Sequence, residues 1–274
     1  MLFEKQDLSF EPVANARPKV LSAEQVKGFN TDGFCQPIDI FSPNEMRHMR
    51  GYIDKLIAGM GEKGSYGINC YQARLSGLYD IATDHRIIDY VQDLIGPNIL
   101  CWASAILSKK PRDPKHVPWH QDASFWMLSP ARTVTVWLAI DDADEHNSAM
   151  RFIPGSHKFG PLETSKQKTN SVFHKGTKEV EGLGMPFTNC LKSGQISLHA
   201  DMLVHGSLPN ISDRRRCGLT LRYCPPEVRI IDDDWKRGVE AILCCGDAKT
   251  WTTHPRPSND DITATTSPVV VANN

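Results

Sequence analysis

The sequence contains no long apolar run. No stretch of its 274 residues approaches the ~20 consecutive apolar positions that a membrane-spanning helix needs. The start, Met1-Leu2-Phe3-Glu4-Lys5-Gln6-Asp7, lacks the basic-then-apolar order of a secretory signal. A cytoplasmic protein with no membrane partner is expected. An excess of one charge is also missing: the formal net charge is −1 at pH 7, and Lys and Arg are spread rather than blocked, leaving no electrostatic footprint for nucleic acid. The eight Cys stand singly apart from Cys244-Cys245, none in zinc-site spacing, so free thiols in a reducing compartment are expected. Cys217 and Cys224 read as packing residues. Nothing marks an oligomeric state.

With 40% hydrophobic residues, the chain suits one large domain over 1–274. Residues 1–21 read as an N-terminal surface arm, with ordered structure beginning at Leu21. The Thr/Ser/Pro/Asn-rich stretch 252–274 reads as a flexible tail. Three helices are signalled. Ser22 with Gln25 forms a capping box before a short helix that leads through Asp32-Gly33 into a strand over 34–38. Ser42, Pro43 and Glu45 open a second helix with Met46, Met49, Ile53, Leu56, Ile57 and Met60 on one face. A third runs from Asp84 to Leu94 and stops at Gly96-Pro97.

After Pro97 the texture becomes short apolar alternations separated by Pro, Gly, Asp and Asn, the pattern of an antiparallel sandwich or barrel. Along 133–140, Val134, Val136, Leu138 and Ile140 form one face, while Thr133, Thr135, Trp137 and Ala139 form the other, which suits a cavity wall. Strands are also expected over 194–201 and 217–223. Between them, 156–193 is a long, Gly-containing insertion expected to form a lid or pocket wall.

The chemistry gathers at His120-Gln121-Asp122 and at His205. A His and an Asp two apart share one face of a strand end, and a distant second His completes three ligands on one side of an octahedral metal. Two neutral imidazoles and one carboxylate hold Fe(II) while leaving adjacent positions open. Arg216, eleven positions after His205, offers a guanidinium fork for the far carboxylate of a dicarboxylate co-substrate. A rival set, His199-x-Asp201 with His205, draws all its ligands from seven residues, which is geometrically awkward. His199 and Asp201 are therefore expected to support the site. His146, His157 and His174 read as solvated, as do Arg214 and Arg215; Arg216 shares strand parity with Thr220 and Arg222.

At these residues the sequence resembles the phytanoyl-CoA dioxygenase family of Fe(II)/2-oxoglutarate oxygenases. The matching pieces are His120-Gln121-Asp122, Val136-Trp137-Leu138-Ala139-Ile140-Asp141-Asp142, Ile153-Pro154-Gly155-Ser156-His157, and His205-Gly206-Ser207 through Arg216, in the family's order across residues 22–226. One motif departs: the family's Glu-Asn-Gly-x-Met stands here as Glu145-His146-Asn147-Ser148-Ala149-Met150.

The resemblance implies a mainly β fold with α elements, a double-stranded β-helix (jelly roll, cupin-like) with the N-terminal helices packed outside. It implies Fe(II), 2-oxoglutarate and O₂, with metal ligands His120, Asp122 and His205. Arg216 with Ser207 would hold the distal carboxylate of 2-oxoglutarate, and Thr135 and Trp137 would line the cofactor pocket. The carboxylate at Asp122 favours hydroxylation over halogenation. Asn69, Tyr71, Arg74, Lys109, Gln121 and Trp126, with Lys110, lie in segments that the family uses for its substrate wall. The resemblance is strongest to bacterial members acting on small metabolites, and implies hydroxylation of a small polar substrate such as an aminophosphonate, with an amino acid or an ectoine-like zwitterion next. A non-catalytic jelly roll that binds 2-oxoglutarate or a metal, and a cupin-like metalloenzyme independent of 2-oxoglutarate, are the alternatives.

Overall fold

Capping chemistry starts the helices where the sequence places it. In a computed structural model, which describes residues 6–167 and 169–268, helix α1 (Ala23–Asp32) opens on a reciprocal pair: the Ser22 hydroxyl accepts Gln25 N–H at 3.1 Å, and the Gln25 side chain accepts Ser22 N–H at 2.7 Å. It stops at Gly33, whose φ of 86° is left-handed, and strand β1 (Phe34–Asp39) follows. Helix α2 (Pro43–Gly59) has the same box from Ser42 and Glu45. After β2 (Ile68–Asn69) come α3 (Ser76–Ala82), which has no side-chain cap and no sequence signal of its own, and α4 (His85–Ile95), capped by Asp84.

The β region runs β3 (Ile99–Lys109), β4 (Val117–His120), β5 (Leu128–Ser129), β6 (Val134–Ala139), β7 (Arg151–Phe152), β8 (Thr164–Lys166), β9 (Lys175–Thr177), β10 (Phe187–Thr188), β11 (Gln195–Ala200), β12 (His205–Ser207), β13 (Arg216–Cys224) and β14 (Arg229–Ile230). Helix α5 (Asp233–Gly238) and β15 (Ile242–Cys245) follow. The main sheet has the order β1-β11-β6-β13-β3-β15, with β2 also on β3; a four-stranded sheet, β10-β7-β12-β4, forms the second layer. All registered pairs in both are antiparallel. This is the jelly roll that the resemblance implies.

The two faces of the main sheet divide the molecule. Val134, Val136, Leu138 and Ile140 join Ile196, Leu198, Leu219 and Leu221 in one core cluster with residues of α1, α2 and α4. Full burial of each such side chain stabilises by about 1.5–3 kcal/mol. The opposite face carries Thr135, Trp137, His199, Arg216, Thr220 and Arg222, and it looks toward the smaller sheet. Cys217 and Cys224 are buried packing residues, and every Cys is a free thiol. Among the described residues no helix is long and apolar enough to cross a membrane.

Both chain ends depart from expectation. The arm is not loose before Leu21: Leu8 is buried, and Gln6 donates to the Trp126 carbonyl at 2.6 Å. The buried Asp93 of α4 accepts N–H groups from Lys19, Val20 and Leu21 at 2.7, 2.8 and 2.9 Å. The expected tail packs as far as 268. Ile262 is buried against α2, Asn259 accepts Ser76 N–H at 2.8 Å, and Thr266 accepts from Arg74. Polar composition hid these anchors, because each depends on one apolar or one hydrogen-bonding residue; positions 269–274 lie outside the described residues.

Asp93→Ala removes the acceptor for three backbone donors at once. It is expected to cost about 1–3 kcal/mol, lowering the melting temperature by several degrees at roughly 2–4 °C per kcal/mol for a chain of this size. An unchanged melting temperature would show that the arm is not held there.

Candidate metal centre

Strands β12 and β4 pair so that His205 is the direct partner of His120, and their rings lie 4.0 Å apart by centroid. Asp122 follows one residue beyond Gln121, at the start of a 3₁₀ turn over Asp122–Phe125, which folds its carboxylate back to 3.5 Å from His120 Nε2. Ligand atoms of His120, Asp122 and His205 lie within 4.8 Å of one another, and all three residues are buried. The backbone sets the ring tautomers. His120 Nδ1 lies 2.8 Å from the Pro118 carbonyl and His205 Nδ1 lies 2.9 Å from the Leu203 carbonyl. A carbonyl only accepts, so the proton belongs on Nδ1 and the Nε2 lone pairs are free for a metal.

Electrostatics favour a charged Asp122 and a neutral His205. Burial alone would raise the Asp122 pKa, but the Arg222 guanidinium, then His120 and His205, hold its carboxyl well below the usual range. Burial pushes His205 well below the ordinary histidine value. One carboxylate and two neutral imidazoles are what a divalent iron site requires.

The adjoining pocket is narrow, about 40 Å³, and Arg216, Ser207, Thr135 and Trp137 all line it. Arg216 is buried, donates from Nε to the Ser148 carbonyl at 3.0 Å and from Nη2 to the Ser207 hydroxyl at 3.3 Å, and sits 5.7 Å over the Trp137 ring. Among the described residues it has no carboxylate partner within ion-pair distance. A buried guanidinium without a counter-ion is costly, and a dicarboxylate would supply one. Thr135 stands apart from that end: it is the register partner of Arg222, six residues along β13 from Arg216. Gly218 makes room for the indole, because a Cβ there would come within 2.1 Å of Trp137 Cζ2.

The divergent loop 145–150 is built into this network. Ser148, which stands where the family has Gly, adopts φ 72°. The strain of a non-Gly residue there is offset by contacts: its carbonyl takes Arg216, and its hydroxyl takes Lys109 Nζ at 2.9 Å and bonds the Leu208 carbonyl.

None of the six residues expected on the substrate wall lines the pocket. Asn69 donates to the Tyr66 carbonyl at 3.2 Å. Tyr71 is buried in the helical core, and Arg74 is paired with Glu240 at 2.6 Å. Buried Lys109 bonds Ser148 and Leu208, and burial with the neighbouring Arg216 charge pushes its pKa down to about 6. Gln121 donates to the Gly160 and Met202 carbonyls at 2.9 and 3.0 Å and accepts Leu162 N–H, fastening the insertion to β4. Trp126 packs against Trp102. Lys110 is exposed. Segment-level correspondence missed side-chain direction, which strand pairing decides.

The rival set is divided. His199 lines the metal pocket, its ring 4.9 Å from His205. Asp201 instead accepts Thr133 N–H at 2.9 Å and borders a separate cavity of about 520 Å³ under the N-terminal arm, with burial raising its pKa to about 7. That cavity is larger, but His120, Asp122 and His205 gather in the smaller one. His157 is buried against Phe10 rather than solvated, and burial pushes it down to about 4. Arg215 is half-buried on Asp141, whereas Arg214 pairs with Asp144 at the surface. Among the pocket residues with no role assigned from the sequence are Arg222, reachable only through its parity with Arg216 and Thr220, and Phe173, whose ring lies 4.9 Å from His120.

The family model described as phytanoyl-CoA dioxygenase (PhyH) matches residues 29–218. Peroxisomal phytanoyl-CoA dioxygenase of Bos taurus is 26% identical over 242 residues, spanning 78% of this chain and 71% of that protein. A probable alpha-ketoglutarate-dependent hypophosphite dioxygenase of Stutzerimonas stutzeri is 30% identical over 147 residues, 52% of this chain and 51% of that one. Among solved structures, the non-heme monooxygenase ThoJ superposes with a TM-score of 0.74 at 24% identity, covering 85% of this chain and 88% of that one. EctD from S. alaskensis, solved with 2-oxoglutarate and 5-hydroxyectoine, gives 0.70 at 19%, covering 92% and 95%. The match across most of the chain makes it a member of the phytanoyl-CoA dioxygenase family, a non-haem iron dioxygenase that uses Fe(II), 2-oxoglutarate and O₂.

Proposed function

We propose that this dioxygenase hydroxylates a C–H bond of a small anionic or zwitterionic metabolite, the alpha carbon of 2-aminoethylphosphonate or a related organophosphonate being the leading substrate. The observation that carries this reading is a narrow pocket whose charge beside the metal ligands is a guanidinium, Arg222, with no acceptor for its Nε–H among the described residues. A small anion answers that charge. Similarity to a dioxygenase named for hypophosphite, a phosphorus oxyanion, supports it. An ectoine-like zwitterion is the second reading, supported by the likeness to EctD.

His120, Asp122 and His205 would hold the metal, and Arg216 with Ser207 would hold the far carboxylate of 2-oxoglutarate. Bound there, Fe(II) with 2-oxoglutarate and O₂ supplies C–H hydroxylation, the co-substrate leaving as succinate and CO₂ while one oxygen atom enters the product. The chain's own task is positioning. The Pro118 and Leu203 carbonyls aim the two imidazoles; Arg216, fixed by Ser148 and Ser207, sets the co-substrate's direction before reaction. Phe173, carried by the insertion that Gln121 fastens, lies against the His120 ring and would shield that side of the site from water. The Asp122 carboxylate at the ligand position supports hydroxylation rather than halogenation.

Arg216→Ala removes charge-assisted hydrogen bonds worth about 1.5–3 kcal/mol. It is expected to raise the KM for 2-oxoglutarate roughly ten- to hundred-fold; an unchanged KM would take the anchoring of the far carboxylate away from Arg216. Asp122→Ala is expected to abolish succinate formation, and turnover near the wild-type level would sink the ligand assignment. In hydrogen exchange, residues 171–177 are expected to gain protection when divalent metal, 2-oxoglutarate and aminoethylphosphonate are added together. No change there would remove the covering role of the insertion.

A further inference from the structure

Three neighbouring strands of the main sheet each bring one polar residue into the pocket at the same level. His199 on β11 is the register partner of Thr135 on β6, and Thr135 is the register partner of Arg222 on β13. Adjacent strands lie about 4.8 Å apart, so the row spans roughly 10 Å. All three residues line the pocket with His120, Asp122 and His205.

The row is distinguished by what it lacks. Thr135 Oγ1, both ring nitrogens of His199 and Nε of Arg222 are buried without a hydrogen-bond partner among the described residues. The row beside it is satisfied: Thr220 Oγ1 donates to the Ala105 carbonyl at 3.0 Å, and the Ser197 hydroxyl accepts from Asn189 at 2.9 Å. A buried polar group left unpaired costs about 1–3 kcal/mol, so four such atoms in one row favour a ligand that pairs them. Their chemistry defines that ligand. A guanidinium, a hydroxyl and one imidazole N–H are three donors converging from three strands, which suits a group with several acceptor oxygens and negative charge.

Arg222 is held by the charge of Asp122 and by two indole rings, and its Nε makes no hydrogen bond among the described residues. Its guanidinium stands 5.1 Å from the Trp126 ring and 6.0 Å from the Trp102 ring. The nearest carboxylate oxygen, Asp122 Oδ2, is 3.8 Å from Nε, too far for a hydrogen bond. Arg216 lies six residues further along β13, roughly 20 Å of strand at ~3.3 Å per residue, and already has Ser207 and Ser148 beside it. The two arginines therefore serve opposite ends of the pocket.

We infer that Arg222, Thr135 and His199 form the subsite for an oxyanion of the primary substrate, a phosphonate in its simplest form, with Arg222 as the specificity-determining residue. This inference rests on the oxygenase reading above. The keto-acid end of 2-oxoglutarate carries a carboxylate of similar chemistry, so the test fills the co-substrate site first. Wild-type protein is loaded anaerobically with Fe(II) and saturating 2-oxoglutarate, monitored by its visible absorption, and titrated calorimetrically with methylphosphonate.

Binding is expected in the wild type. It is expected to weaken at least ten-fold in Arg222→Met and several-fold in Thr135→Val, each titrated at Fe(II) and 2-oxoglutarate concentrations that give that variant its full absorption band. Displacement of 2-oxoglutarate by methylphosphonate would overturn the inference by giving the row to the co-substrate. Loss of the band in Arg222→Met with unchanged methylphosphonate binding in Thr135→Val would overturn it by reducing Arg222 to a support for Asp122. A wild type that shows the band but binds no methylphosphonate defeats this inference alone. A wild type with no band defeats the oxygenase reading as well.

Discussion

The site depends on the pairing of β12 with β4. That register sets His205 opposite His120, and the carbonyls of Pro118 and Leu203 turn both imidazoles so that their Nε2 atoms face one point. Each imidazole is oriented by a carbonyl two residues earlier in its own chain segment, so the sheet and the ligand geometry form together. Gly206 lets this happen: a Cβ at that position would stand 2.8 Å from the Val117 carbonyl on the neighbouring strand. A side chain there would push β12 from β4 and separate the histidines.

Against this small sheet the main sheet presents a face that is polar in the middle of a hydrophobic protein. Its other face is uniformly aliphatic and carries the helices, and that burial stabilises an inner face bearing two arginines and a histidine. The price is visible in the unpaired atoms of Thr135, His199 and Arg222 and in Arg216, which has no counter-ion among the described residues. Locally unfavourable groups gathered in one cavity are what a site for charged small molecules requires.

Much of this was readable in the residues. The capping boxes at Ser22 and Ser42 gave helix starts, and alternation along 133–140 gave both faces of β6. The spacing of His120, Asp122, His205 and Arg216 singled out four residues that the structure gathers in one pocket, because ligand chemistry restricts residue type as well as position. The substrate wall was not readable. Lys109 and Arg216 are register partners on adjacent strands, yet Arg216 lines the pocket while Lys109 turns to Ser148 and Leu208. Arg74 and Tyr71 are drawn into contacts with residues nearly two hundred positions away, beyond the reach of any local pattern. The anchoring of residues 252–268 was missed for the same reason.

The most direct test of the account is an anaerobic titration of the metal-free protein with Fe(II) and 2-oxoglutarate, followed by visible spectroscopy. A keto acid chelated to iron by a site of two imidazoles and one carboxylate gives a weak charge-transfer band. The account predicts that the band appears with one equivalent of each and is absent when either is omitted. A protein that binds Fe(II) but never develops the band with 2-oxoglutarate would contradict the paired roles given to the metal ligands and Arg216.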